Sequence, residues 1–229
     1  VGAEVAAAVQ QLLAASDPAH AAGVRFLVLT PAVEGASLLP FAPGEAAGEG
    51  WPPARRQACA QVVQGAGAIE AALAEALRAL RTEESLSEAG LAAHAALPLD
   101  LFLVAGLPEP GASGALLPLA LLAQQALQHD PLAMGHLLLS TVCFAAEDEA
   151  GAYAALTELD TLAGAGGGAP QALRKALGAS GSLAWRYRCY LFDRCKEGGR
   201  EVKDRAELTT VMGNVLLALL SCGLAQSTS

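Results

Sequence analysis

Two kinds of hydrophobic pattern alternate along the 229-residue chain. Short, nearly continuous apolar runs occur at "VRFLVL" (24–29), "LDLFLVA" (99–105), "HLLLSTV" (136–142) and "RYRCYLF" (186–192). All four read as strands, and the first has the nearly continuous apolar character expected when both faces are covered. Between them lie stretches with helical spacing. Glu4 to Ala15 is one, stopped by "SDPAH". Ala54 to Arg81 carries Ile69, Leu73, Leu77 and Leu80 at helical intervals, with Gly65 and Gly67 as breaks. A short helix is expected over Glu83 to Ala96, and further helices over Ala115–Gln128, Asp148–Leu162, Gln171–Leu177 and Asp204–Leu220. Asp204 followed by Glu207 forms a capping box at the start of the last one. "PFAPGEAAGEGWPP" (40–53) and "GAGGGAP" (164–170) read as mobile loops.

Strands separated by helices imply crossover connections, hence an α/β fold: three layers, with helices on both faces of a mostly parallel, doubly wound sheet. No internal repeat divides the chain, and residues 1–229 read as a single domain. In such sheets ligands bind beyond the C-terminal ends of the strands. Here those ends are Thr30 to Ala32, Gly106 to Gly114, Thr141 to Glu149 and Asp193 to Gly199.

Composition narrows the possibilities. Hydrophobic residues make up 53% and charged residues 16%, and much of the apolar count is alanine, which favours closely packed helices. A net charge of −9 with scattered Lys and Arg argues against a nucleic-acid partner. Cys59, Cys143, Cys189, Cys195 and Cys222 form no C-x-x-C pair and no zinc pattern with the four histidines, as expected of idle thiols in a reducing compartment. Glu147, Asp148 and Glu149 read as the start of a helix, because consecutive helical positions do not converge on a metal. The first residues are amphipathic and lack a basic start, so no leader is expected, and the most apolar stretch, Val211 to Leu224, is broken by Gly213 and Asn214. A soluble, cytoplasmic chain without membrane insertion is the expectation.

The candidate chemistry lies where "LFLVAGLPEPGASGALLPLALLAQQAL" (101–127) passes from strand through Gly111-Ala112-Ser113-Gly114 into a helix. Gly-Ala-Ser-Gly-Ala approaches a nucleophile elbow with Ser113 as the nucleophile. The late histidine that such a triad needs is missing, and Asp130 with His136 would have to serve within a very short span. Neither a Walker loop nor a dinucleotide fingerprint exists. Alternatively, Ser113 caps the helix and Gly111 takes positive φ. A helix N-terminus at this edge also suits an anion.

In order and content these segments resemble the tubulin and FtsZ superfamily, most closely its bacterial members outside the cell-division group. "LDLFLVAGLPEPGASGALLPLALLAQQAL" resembles the strand, phosphate-cradling loop and helix of that family. "GHLLLSTVCFAAEDEAGAYAALTELDTL" is similar to the next strand, loop and helix. "RCYLFDRCKEGGREVKDRAELTTVMGNVLLALL" is similar to the strand, turn and long central helix that follow. "VGAEVAAAVQQLL" resembles the end of the first Gly-rich loop with its helix, and "VRFLVLTPAVEGASLL" the second strand and its loop. The resemblance implies a nucleotide-binding domain for GTP or GDP. Its contacts would fall on Gly2 and Ala3, on Gly111, Ala112, Ser113 and Gly114, on Gly151 and Tyr153, and on Lys196.

Departures from the family pattern are concentrated at those same places. Glu109 and Pro110 stand where two glycines are usual, Gly111 replaces Thr, and Ala112 replaces Gly. Gly151 and Lys196 stand where Asn is usual, and Leu29-Thr30-Pro31 lacks the usual Asp. The first strand ahead of Val1 and the catalytic half beyond the central helix are missing, so GTPase activity is not expected. Three readings follow. The first is a degenerate tubulin-like interaction or assembly module, with a protein partner or self-association and with nucleotide binding weakened or lost. The second retains GTP binding through the amides of Gly111 to Gly114, with charge from Lys196. The third is an α/β serine hydrolase built on Ser113.

Overall fold

Six of the seven residues of the strand Met134–Ser140 are buried, as a strand flanked on both edges and covered on both faces must be. This computed structural model describes residues 2–16, 24, 53–90, 99–128, 133–144, 149–163, 171–178, 187–194 and 201–227. Among them, three strands form one parallel sheet in the order β1 (Asp100–Gly106), β2 (Met134–Ser140), β3 (Tyr187–Phe192). The register aligns Phe102 with His136 and His136 with Arg188. The expected parallel neighbours at 101–105, 136–142 and 186–192 are therefore present, within two residues of the anticipated bounds. The strand expected at 24–29 lies outside the described residues beyond Val24, as do the Pro/Gly loop up to Pro52 and "GAGGGAP".

Eight helices accompany the strands among the described residues: α1 (Gly2–Ser16), α2 (Pro53–Gln64), α3 (Ala66–Ala79), α4 (Glu83–Glu88), α5 (Pro110–Leu127), α6 (Glu149–Ala163), α7 (Gln171–Ala176) and α8 (Arg205–Ser227). Their signals are local. Thr82 caps α4 by accepting the Ser85 N–H at 3.2 Å. Asp204 accepts the Glu207 N–H at 2.8 Å, and the Glu207 carboxylate accepts the Lys203 N–H at 2.8 Å, so the capping box at α8 is formed. Gly65 separates α2 from α3, as its position in the pattern predicts.

The period-2 alternation of the strands assigns the two sheet faces. Phe102, Val104, Leu138, Tyr190 and Phe192 meet Val5, Val9 and Leu13 of α1 and Leu208, Met212 and Leu216 of α8. On the opposite face, Leu103, Ala105, Leu137 and Leu139 meet Leu116 of α5 and Ala152, Ala155 and Leu159 of α6. Helices thus cover both faces, in line with the α/β expectation. A further core lies between α2, α5 and α7, where Cys59 and Val62 pack on Leu117, Leu121, Leu122 and Leu173. No described helix is long and apolar enough to cross a membrane.

Candidate functional site

Four helix N-termini open at the C-terminal edge of the sheet. α5 begins three residues after β1, once Leu107 and Pro108 have turned inward and become fully buried. α1 begins beside the same strand, because a Cβ on Gly2 would overlap the Val104 carbonyl oxygen and lie 3.4 Å from its carbon. Ala152, in the first turn of α6, shares a core cluster with Leu107 and Leu116. α8 arrives through Arg205, whose Nη1 lies 3.1 Å from Oε1 of Glu109. Sequence-predicted site residues Gly2, Ala3, Gly111, Ala112, Ser113, Gly114, Gly151 and Tyr153 therefore all lie on helices that start at this edge. Lys196 lies outside the described residues.

The turn of small residues is helix. Glu109 is the N-cap of α5, with φ −80° and ψ 116°, and Pro110 is its first helical residue, where a missing N–H costs nothing. The Ser113 N–H already donates to the Glu109 carbonyl at 2.9 Å. Gly111 is helical too, and the described glycines with positive φ are Gly90 and Gly178 instead. Ser113 is 1% exposed and its Oγ donates back to the Pro110 carbonyl at 3.3 Å, so it does not cap the helix by accepting an amide. Gly114 is a packing position. A Cβ there would overlap the Arg55 carbonyl oxygen and lie 2.9 Å from both its carbon and its Cα. Gly151 is buried in the first turn of α6, while Tyr153 is 75% exposed.

Acidic side chains stand at these helix starts. Glu4 lies in the first turn of α1, Glu149 in that of α6 and Glu207 in that of α8, and Glu109 caps α5. Each carboxylate complements the partial positive charge of a helix start. The Glu109 side chain makes no capping bond to α5 and is engaged by Arg205 instead.

Two functional-looking groups lie elsewhere. His136 is buried near the N-terminal end of β2, on the face that carries α1 and α8. Its Nε2 lies 2.8 Å from Oδ1 of Asp100, and its ring stacks on Phe102 at 4.5 Å and on Tyr190 at 6.0 Å. Ser113 belongs to α5, which packs on the other face at the other end of the strands, so the histidine that the hydrolase reading needs is remote from it. Arg55, fully buried on α2, is the residue that sequence reasoning missed. Its Nη2 donates to Oε2 of Glu158 on α6 at 2.9 Å and to the Ser113 carbonyl on α5 at 3.3 Å. Burial, and after it the Glu158 carboxylate, push the neighbouring Cys59 thiol up to about 12, with the Arg55 guanidinium opposing the rise.

A scan against protein-family models, a search of curated proteins and a search of solved structures each find no match for this chain.

Proposed function

We propose that this chain is a tubulin/FtsZ-like domain with degenerate nucleotide loops, acting as an interaction or assembly module that binds guanine nucleotide weakly or not at all. The observation that carries this reading is the state of the segment that the resemblance makes a phosphate cradle. A cradle points several backbone amides at one anion. Here Gly111 to Gly114 are wound into α5, Pro110 has no amide to offer, and the Glu109 carboxylate stands at the helix start in an ion pair with Arg205. Two unit charges 4 Å apart repel by about 1 kcal/mol in water and about 4 kcal/mol at an effective dielectric near 20. Arg205 offsets part of that for an incoming phosphate. The loss of affinity is therefore several-fold to several hundred-fold.

The serine-hydrolase reading gains nothing from a buried Ser113 whose Oγ bonds its own helix. Retained GTP binding draws support from the convergence of four helix N-termini on one edge, and one measurement separates it from the leading reading. Titration of the chain with GTP and magnesium in a calorimeter should give no heat of binding at micromolar concentrations. Micromolar affinity would overturn the degenerate reading and promote the GTP-binding one. Analytical ultracentrifugation of the same 229 residues should show no GTP-dependent polymer, since a nucleotide that binds weakly or not at all cannot switch assembly.

A further inference from the structure

We propose that Arg55 is a latch that holds the first turn of α5 in helical form, so that residues 110–114 can unwind only if α2 lifts away. The proposal stands whether or not the chain is tubulin-like.

Three features leave that turn poorly held by its own helix. Glu109 supplies no side-chain cap. Pro118, inside the helix, has no N–H to donate to the Gly114 carbonyl one turn before it. Small side chains at Gly111, Ala112 and Gly114 add little packing of their own. Support from outside the helix comes from α2. Gly114 lacks a Cβ where the Arg55 backbone crosses, and the Arg55 guanidinium reaches through that contact to the Ser113 carbonyl at 3.3 Å. The same nitrogen is anchored on α6 by Glu158 at 2.9 Å, with the two side chains 1% and 14% exposed. A well-packed apolar side chain would fill this space at no cost in desolvation. What the charged pair adds is direction: a donor aimed at one carbonyl of one turn.

Hydrogen exchange followed by mass spectrometry tests the latch. Replacing both partners, Arg55→Met with Glu158→Leu, removes the donor without leaving a lone buried charge. Amides 113–117 should then exchange at least tenfold faster, while those of β2 keep their wild-type rates. A smaller acceleration, or an equal one in β2, overturns the proposal, because either would mean no latch or a merely global loss of stability. Should the double variant fail to fold, the unaltered protein still decides the matter. In the native state, amides 113–117 and those of α2 should open together, with the same protection factor and below that of β2. Opening of 113–117 while α2 stays protected overturns the latch.

Discussion

Substituting Gly114 by alanine should destabilise the fold, although alanine is the better helix former. Replacing an interior helical glycine by alanine gains about 1 kcal/mol from backbone propensity alone. At position 114 the added Cβ would lie 2.9 Å from two backbone carbons of Arg55 and would overlap the carbonyl oxygen between the helices. Carbon atoms rest about 3.5–4.0 Å apart, so α2 must retreat by roughly 1 Å. Overpacking against backbone, which cannot rotate away, costs about 3 kcal/mol, the upper part of its usual range. The retreat also stretches the Arg55 bond to the Ser113 carbonyl, already 3.3 Å, for about 1 kcal/mol more. The net loss is about 3 kcal/mol, or a fall in Tm of about 6–12 °C for a domain of this size. Gly213, inside α8, is the internal control: a Cβ there meets Val9 Cγ2 at an ordinary 3.6 Å. Gly213→Ala should therefore raise stability by up to about 1 kcal/mol. Urea unfolding followed by circular dichroism compares the two. If Gly114→Ala is as stable as the unaltered protein, the close approach of α2 to α5 is wrong, and with it the packing role assigned to this glycine.

Two further outcomes follow from single groups. The Cys59 thiol, pushed up to about 12 by burial, stays protonated in the folded state while the unfolded thiol ionises near 9.0. Its stabilising contribution is thus complete below pH 9 and lost between pH 9 and 12, at about 1.4 kcal/mol per pH unit. Cys59→Ala should flatten the fall of urea stability between pH 9 and 11 by about that slope, and an unchanged slope would rule the environment out. Asp204→Ala removes the acceptor for the Glu207 N–H and should cost about 1 kcal/mol in the same urea assay. A change under about 0.3 kcal/mol would mean that the cap contributes nothing.

Elements whose signals are local were legible in the sequence. Asp204 and Glu207 announced the start of α8 three residues apart, and β2 could be read from its unbroken apolar run. The start of α5 was not, because Gly-Ala-Ser-Gly carries the composition of a turn. Small residues also permit close helix contact, and nothing within 110–114 tells the two uses apart. The difference lies in Arg55, far away in sequence. A signal for it existed: Arg55 stands three, four and seven residues before Ala58, Cys59 and Val62, on the stripe that α2 buries. Arginine on such a stripe reads as a solvated residue unless its partner is known, and Glu158 lies 103 residues further on.

On the reading proposed above, the carboxylates at the sheet edge have a common cause. Four helix N-termini opening on one edge concentrate partial positive charge there. In a nucleotide-binding relative the phosphates would neutralise it. A chain that has given up the phosphates keeps the helices, since they cover both faces of the sheet, and must balance their charge from within. An acid at each helix start does so for about 0.3–1 kcal/mol apiece. Glu109 goes furthest, because it stands at the cap of α5 itself. Arg205, a cation in the first turn of α8, is unfavourable toward its own helix dipole, and the Glu109 carboxylate 3.1 Å away compensates it. On that reading the pair joins two helix starts that a bound anion would otherwise bridge, and the charge at the edge is balanced without a ligand.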